Sequence, residues 1–218
     1  MDTYPICPLT GHKEFDELMA RLAQANDGSE QESLLADIWQ KFGTSGAVLI
    51  SDMAGFSSTS RRHGVCHYLK MIYRTRQIIS PIIRQHNGLL IKCDADNCYA
   101  FFKHTDDAVQ ASLAANAAIF AANEQVDMNE QVYLSIGIDH GELLLVGEDE
   151  FFGDPVNTAS KLGEDLAIKA ETLVTERALA KATFDVPERA EHMVARISDI
   201  EIRYVRLPMT ELVFGTDS

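Results

Sequence analysis

Two aspartates have surroundings in the sequence that suggest chemistry, and Asp52 is the first of them along the chain. It follows the apolar run at 46–51, which predicts a buried strand, and Gly55 and Ser57 then open a loop before a long helical pattern. Such a loop directs backbone N–H groups and the positive end of a helix beside a carboxylate. The combination is suited to holding a phosphate group together with a metal ion.

Asp96 is the second acidic position, and it lies between two short strand-like segments, 88–93 and 97–103, that indicate a hairpin. In a split βαββαβ sheet these strands neighbour the first strand, so we expect Asp52 and Asp96 to meet at one edge. Carboxylates are preferred ligands of Mg²⁺, and two metal ions can activate an attacking hydroxyl while neutralising a leaving pyrophosphate. The alternative is that each aspartate only caps a turn.

Asn157 and Lys161 form a third candidate pair, in a segment that begins with Asp154 and Pro155. Asp is suited to the N-cap of a helix and Pro to its first position. The spacing of four residues then places Asn157 and Lys161 on one helix face. An amide can orient a ribose, and a cation one turn away can face charge that develops on a phosphoryl group. The alternative is a pair of exposed surface residues.

The elements that must position these residues follow a recognisable order. Residues 13–42 have apolar positions at helical spacing, broken at 26–30, which predicts two short amphipathic helices. The first strand, a long helix at 58–86, the hairpin, an alanine-rich helix at 106–124 and a strand at 132–139 come next. This order predicts an α+β fold with a ferredoxin-like split βαββαβ core, a largely antiparallel sheet and helices on one face.

Further elements follow this core. We predict a separate strand at 142–146, a strand at 171–175, a short helix from Glu176 and a last strand around 200–207. The chain thus divides into an N-terminal helical extension, residues 1–43, and a catalytic domain, residues 44–218, that carries strand and helix additions at its C-terminal end.

Composition limits the classes of partner. The 218 residues carry a net charge of −14, which opposes nucleic-acid binding because such a surface needs clustered Lys and Arg. A small phosphorylated ligand is compatible with this charge if metal ions neutralise it locally. No stretch approaches the ~20 apolar residues of a membrane-spanning helix, and the N-terminus has no signal-peptide pattern. We therefore expect a cytoplasmic protein with no membrane insertion.

The cysteines show no metal-binding or redox motif. They have no CxxC spacing, and the two closest lie five positions apart in the predicted hairpin. We expect reduced thiols, as is usual for a cytoplasmic protein. The four positions are Cys7, Cys66, Cys93 and Cys98.

Four segments together resemble the successive motifs of class III adenylyl and guanylyl cyclases, in the same order and at compatible spacing. They are ISDMAGFS at 50–57, GLLIKCDADNCYAFF at 88–102, IGIDHGELLLVG at 136–147 and FGDPVNTASKL at 152–162. The resemblance covers about residues 46–207. It implies conversion of a nucleoside triphosphate to a 3′,5′-cyclic nucleotide and pyrophosphate by a two-metal mechanism.

The resemblance also implies roles for individual residues. Asp52 and Asp96 match the metal-binding aspartates, for two Mg²⁺ or Mn²⁺ ions per site, and the backbone carbonyl of Met53 adds a ligand. Asn157 and Lys161 match the transition-state Asn and Arg, with Lys in place of Arg. In this family the site forms between two chains, so we expect a homodimer. The loop expected to contact the substrate comprises Gly55, Phe56 and Ser57.

Lys92 and Glu150 match the two positions that read the base, and a Lys with an acidic partner favours ATP. Two alternatives are that Asp149 takes the place of Glu150 and that 148–150 is a solvated acidic turn. Ala95 replaces a Gly that usually precedes the second aspartate, so the backbone there is expected to differ.

Three alternatives to an adenylyl cyclase stay open. The same chemistry can act on GTP, it can act on a pyrimidine triphosphate, or a degenerate homologue can bind nucleotide as a regulatory module. The C-terminal part lacks the Lys-Gly that in this family often supplies a phosphate-binding lysine. Arg196 and Arg203 are the candidates to replace that lysine.

Overall fold

The sheet of this protein is organised around one central strand. A computed structural model describes residues 8–54, 64–184, 186, 188, 190–197 and 200–207. Eight strands in these ranges form one sheet in the order β2-β3-β1-β4-β6-β8-β7, with β5 paired to β4. The strands are β1 (Gly43–Met53), β2 (Leu89–Asp94), β3 (Asn97–Phe102), β4 (Leu134–Val146), β5 (Glu150–Phe152), β6 (Glu171–Thr175), β7 (Glu191–Ile197) and β8 (Ile200–Leu207).

Helices connect these strands and precede them. In the described ranges they are α1 (Lys13–Gln24), α2 (Gly28–Phe42), α3 (Val65–Gln85), α4 (Thr105–Asn123), α5 (Asp154–Ser160) and α6 (Glu176–Leu179). A 3₁₀ turn covers Met128–Glu130, and a π-helical turn, Lys161–Leu166, continues α5. None of these helices combines the length and the apolar character that crossing a bilayer requires.

The predicted split βαββαβ core is confirmed. It runs β1-α3-β2-β3-α4-β4, and the order β2-β3-β1-β4 has antiparallel neighbours throughout. β6 joins β4 in parallel, and β8 and β7 extend the sheet as an antiparallel pair. The two N-terminal helices were also predicted correctly, but β7 was not predicted.

The expectation of helices on one face is wrong. Ala47 and Leu49 of β1 lie in the core under α3 and α4, whereas Val48 and Ile50 pack on the opposite face with Ala159 of α5. A strand buried on both faces needs a cover on each side. The unbroken apolar run of β1 indicated this burial, but periodicity did not indicate which helix supplies the second cover.

The separate strands predicted at 132–139 and 142–146 are one strand, β4, of 13 residues. The two residues between the predicted strands, His140 and Gly141, do not form a turn, because Gly141 is extended and pairs with Gly46 of β1. A Cβ at Gly141 would lie 2.8 Å from the ring of Pro155. The glycine therefore makes room for the first turn of α5 and does not reverse the chain.

The N-terminal helices pack against the outer part of β4 and β5. Phe15 of α1 stacks on Phe152 of β5 with ring centroids 5.9 Å apart, and it meets Phe42 of α2 edge to face. Leu34 and Ile38 complete this small core, and each is 2% exposed. The division of the chain at residue 43 stays a prediction.

Gly137 of β4 and Gly163 of the π-helical turn allow that turn to lie directly on the sheet. A Cβ at Gly137 would lie 2.1 Å from the carbonyl oxygen of Ala159, and one at Gly163 would lie 2.8 Å from that of Ile50. Both obstacles are backbone atoms, which cannot rotate away. The close approach fixes the position of the segment that carries Asn157.

We expect Gly137→Ala to lower the free energy of unfolding by about 2 to 3 kcal/mol, because the added methyl group overpacks a backbone contact. Urea denaturation measures this change. Gly28→Ala is the matched control: a Cβ there meets nothing within 4 Å, so its effect should stay within about 0.5 kcal/mol. Equal stabilities of the two variants would contradict the close approach.

Candidate active site

The pairing of β1 with β3 brings the two predicted metal ligands to one end of the sheet. Ser51 of β1 lies opposite Cys98 of β3, so Asp52, which follows Ser51, is level with the start of β3. Asp94 and Asn97 close the hairpin as a pair, and Asp96 occupies the turn between them. The structure therefore places Asp52 and Asp96 at the same end of this strand pair, and their role as metal ligands stays a prediction.

The turn that carries Asp96 contains a residue in the left-handed backbone conformation, which is most often occupied by glycine. Ala95, the first of its two central residues, has φ 44°. Ala95 holds this left-handed conformation at a typical cost of about 1 to 2 kcal/mol, and whether the backbone differs from that of a glycine here stays a prediction. Arg76 of α3 supports the turn by donating from Nη2 to the carbonyl oxygen of Ala95 at 2.6 Å.

Asp52 occupies an environment that disfavours its negative charge. Burial, together with the nearby carboxylates of Asp96 and Glu164, raises its pKa from 3.8 to about 6, although the N–H of Met53 donates to it and opposes the shift. A divalent cation would reverse this penalty, because it interacts favourably with all of these negative charges.

The donor chemistry here fits a hard cation such as Mg²⁺ or Mn²⁺. Asp52 and Asp96 offer carboxylate oxygens at one sheet edge, and such ions use one or two carboxylates together with substrate phosphates. Within the described ranges, no group of three or more His, Cys, Asp or Glu side chains forms a ready-made cation site. The arrangement therefore suits a metal that the protein and a phosphorylated substrate hold together.

Glu164 is a residue that sequence analysis missed. Its Oε1 accepts hydrogen bonds from Asn97 Nδ2 at 3.0 Å and from Ser160 Oγ at 2.7 Å. Because Asn97 directly follows Asp96, the contact ties the π-helical turn to the hairpin that carries the second aspartate. Glu164 also adds a third negative charge beside Asp52.

Asn157 and Lys161 lie one turn apart at the end of α5. The backbone N–H of Lys161 donates to the carbonyl oxygen of Asn157, so their predicted helical spacing is present in the structure. Asn157 is exposed and Lys161 is partly buried. Glu164 follows Lys161 by three residues. This helical spacing is the feature of the sequence that could have placed Glu164 near the site.

An ion pair between a buried aspartate and a half-exposed arginine holds α5 in place. Asp139 of β4 is 0% exposed and accepts hydrogen bonds from Thr175 and from Arg177, whose Nε lies 2.7 Å from Oδ1. Arg177 also contacts Asp154 and Thr158 of α5. The paired carboxylate raises the pKa of the Arg177 guanidinium further, so this cation links the sheet to α5.

Lys92 and Glu150, the predicted base-reading residues, lie together. Lys92 Nζ donates to both carboxylate oxygens of Glu150, at 2.9 and 2.7 Å, and lies 5.7 Å from the ring centre of Tyr99. Glu150 begins β5, whereas Asp149 lies in the exposed turn before it. The ion pair therefore uses Glu150, and both of its side chains are partly accessible to solvent.

Comparison with known proteins decides the family. The model of the adenylate and guanylate cyclase catalytic domain matches residues 21–206. The chain belongs to this family. The resemblance seen in the four sequence motifs is therefore confirmed.

Solved structures share the fold of this cyclase domain. The guanylyl cyclase Cya2 is 18% identical with a TM-score of 0.65, covering 75% of this chain and 91% of that one. The adenylate/guanylate cyclase/hydrolase from Silicibacter pomeroyi is 25% identical with a TM-score of 0.64, and the match covers 76% of this chain and 98% of that one.

Curated relatives are much longer than this cyclase domain. The protein named "Putative adenylate cyclase 3" of Rhizobium meliloti (strain 1021) is 26% identical over 116 residues, which is 53% of this chain and 20% of that protein. The chain spans a fifth or less of the length of the curated relatives that it matches.

Two further predicted residues of this cyclase domain lie elsewhere. Arg203 is on β8 and Arg196 on β7, three and four strands from β1, or roughly 14 and 19 Å away at the usual strand spacing. Arg203 pairs with Glu201 at 2.9 Å. Within one chain, neither arginine is placed beside Asp52. The predicted substrate loop, Gly55, Phe56 and Ser57, lies outside the described residues.

We expect the metal-free cyclase domain to lose stability between about pH 4 and pH 7 as Asp52 ionises. Its folded-state pKa of about 6 exceeds the ordinary 3.8, so the folded form holds this proton more tightly than the unfolded form. The resulting stabilisation is complete below about pH 4 and is lost as the pH rises through 6. Asp52→Asn removes this dependence and should exceed wild type by about 1 to 2 kcal/mol at pH 8, with allowance for solvent screening.

Urea unfolding at pH 5 and pH 8 in the presence of a chelator measures the difference. Asp37→Asn is the control, because Asp37 is an exposed carboxylate on α2, which precedes the opposite end of β1 from Asp52. If the free energy of unfolding changed with pH by the same amount in wild type and in Asp52→Asn, the electrostatic account of Asp52 would be wrong.

Proposed function

We propose that this cyclase domain converts a nucleoside triphosphate, with ATP favoured, to a 3′,5′-cyclic nucleotide and pyrophosphate as a homodimer. The observation that supports the reaction most directly is the convergence of Asp52 and Asp96 at one end of the β1–β3 pair. Family membership sets the reaction class. GTP and pyrimidine triphosphates are the alternative substrates.

Two divalent ions, Mg²⁺ or Mn²⁺, would be held by Asp52, Asp96 and the backbone carbonyl of Met53. When bound, such ions lower the pKa of an attacking hydroxyl, here the ribose 3′-hydroxyl, and neutralise a leaving pyrophosphate. Burial raises the pKa of Asp52 most, and the repulsion between Asp52 and Asp96 raises it further, so a bound cation would relieve both effects.

Asn157 and Lys161 act on the substrate from a helix surface. The Asn157 amide can both donate to and accept from ribose oxygens, and so orient the 3′-hydroxyl toward the α-phosphorus. The Lys161 ammonium faces negative charge that develops on the phosphoryl oxygens. Since Lys161 lies one turn after Asn157, one short helix addresses both the sugar and the phosphate.

A homodimer supplies these groups from two chains in the proposed arrangement. Asn157 is exposed on α5, so a second copy of the chain can reach it. In a head-to-tail pair, Asp52 and Asp96 of one protomer face the Asn157 and Lys161 of its partner. Two equivalent sites then form in each dimer.

The base contacts Lys92 and Glu150. Adenine presents a ring-nitrogen acceptor next to an exocyclic amine donor, which matches an ammonium beside a carboxylate. Lys92 has three donors and Glu150 about four lone-pair positions, so each can bind a base without losing the other. Their partial exposure leaves room for that contact.

Turnover assays with all four nucleoside triphosphates and Mn²⁺ test the reaction. We expect ATP to give cyclic AMP and pyrophosphate, and Asp52→Ala or Asp96→Ala to lose at least about 10³-fold in turnover, because each variant lacks a metal ligand. Asp37→Ala is the matched control and should retain wild-type activity, because this aspartate is exposed on α2.

Mixing variants tests the shared site in the same assay. Asp52→Ala mixed with Asn157→Ala should regain activity, because each heterodimer contains one site with neither substitution. An inactive mixture with demonstrated subunit exchange would contradict the dimer. Triphosphate binding without pyrophosphate release from wild type in Mn²⁺ would instead favour a nucleotide-binding regulatory module.

Lys161→Ala should lower kcat by about 10² to 10³-fold and change KM little, since its interaction is made mainly in the transition state. Lys161→Arg should match or exceed wild type, because a guanidinium can bridge two phosphoryl oxygens. Steady-state kinetics of both variants, with folding checked by circular dichroism, measure these effects. An alanine variant within threefold of wild type would remove Lys161 from the mechanism.

A further inference from the structure

Two thiols face each other across the hairpin that carries Asp96. Cys93 of β2 and Cys98 of β3 are directly opposite in register, and their Sγ atoms lie 3.0 Å apart. This is closer than the roughly 3.5 to 4.0 Å at which non-bonded heavy atoms normally meet. Both cysteines are free thiols, so the pair is a dithiol.

The backbone at this pair already has the dimensions of a disulfide. Asp94 and Asn97 close the two-residue turn as a hydrogen-bonded pair, so the next pair, Cys93 and Cys98, is of the non-hydrogen-bonded kind. Such pairs have Cα atoms about 4.5 Å apart, within the roughly 4.4 to 6.8 Å range of disulfides. Bond formation requires only that the sulfur atoms approach by about 1 Å more.

The two cysteines differ in access to solvent. Cys98 is 2% exposed and belongs to the core under α3 and α4, whereas Cys93 is only partly buried. A small oxidant therefore meets Cys93 first. Cys98 is then in place to resolve the oxidised sulfur without any movement of the chain beyond the hairpin.

We propose that Cys93 and Cys98 form a reversible disulfide in response to peroxide and that this bond lowers cyclase activity by displacing Asp96. The Cys93 thiolate attacks a peroxide oxygen, giving a sulfenic acid and hydroxide. The Cys98 thiol then attacks the sulfenic sulfur, and water leaves with the Cys98 proton. In total, two thiols and hydrogen peroxide give one disulfide and two waters.

The link to activity rests on the proposed function. Asp96 is two residues from Cys98, within a turn of only two central residues. A Cα separation of about 4.5 Å is at the lower end of the disulfide range, whose most common value is about 5.5 to 6 Å, so the bond pushes the two strands apart by about 1 Å and changes the geometry of that turn. A misplacement of this size at a reacting centre can cost about 10²-fold in rate. We expect the oxidised protein to bind Mn²⁺ at least fivefold more weakly and to turn over at least tenfold more slowly.

Mass spectrometry tests the disulfide independently of activity. Both cysteines fall in one tryptic peptide, residues 93–103, CDADNCYAFFK. After treatment of the full chain with hydrogen peroxide and alkylation with N-ethylmaleimide, this peptide should be about 2 Da lighter than the dithiol and carry no alkyl group. Cys66→Ser is the matched control and should behave like wild type, whereas Cys98→Ser should not form the bond.

Calorimetric titration with Mn²⁺ alone, and turnover with ATP, then compare the reduced protein, the oxidised protein and the oxidised protein after dithiothreitol. Weaker Mn²⁺ binding that dithiothreitol restores supports the switch even if turnover is absent, which would count against the proposed function only. Doubly alkylated 93–103 after peroxide treatment would overturn the disulfide. A disulfide with unchanged Mn²⁺ affinity would overturn its effect on Asp96.

Discussion

Burial of β1 on both faces is the constraint on which the rest of this structure depends. The middle of such a strand must be mainly apolar, and the first ionisable side chain of β1 comes at its end. That side chain is Asp52. The neighbours β3 and β4 satisfy the backbone of β1 on both edges, so the site forms only at the strand terminus.

The two covers of β1 have different roles. Helices α3 and α4 supply most of the apolar core, and Arg76 of α3 also supports the turn that carries Asp96. On the other face, α5 and the π-helical turn approach the sheet closely through glycines, and they carry Asn157, Lys161 and Glu164. The stabilising layer and the layer with functional side chains are therefore on opposite sides of one strand.

Electrostatics connects these layers. The net charge of −14 gives the protein an excess of carboxylates, and several of them converge beside Asp52. The buried Asp139 carboxylate of β4 is instead paired with Arg177, and this pair anchors α5. Among the residues that the structure describes, no cationic side chain donates a comparable hydrogen bond to the carboxylate of Asp52 or Asp96. The neutralised carboxylate of Asp139 therefore stabilises the fold, whereas the carboxylates beside Asp52 can bind a cation.

The sequence by itself determined the order of strands and helices in the split βαββαβ core, its hairpin and the expected convergence of Asp52 with Asp96, because these follow from local periodicity and from the pairing rules of such a sheet. Only the tertiary structure decided the rest. Glu164 meets Asn97 across 67 residues of sequence, and Arg177 meets Asp139 across 38. The need for glycine at position 141 likewise comes from the ring of Pro155, which lies 2.8 Å from where a Cβ would be. Such contacts join residues that no local pattern relates, so they become visible only when the chain is folded.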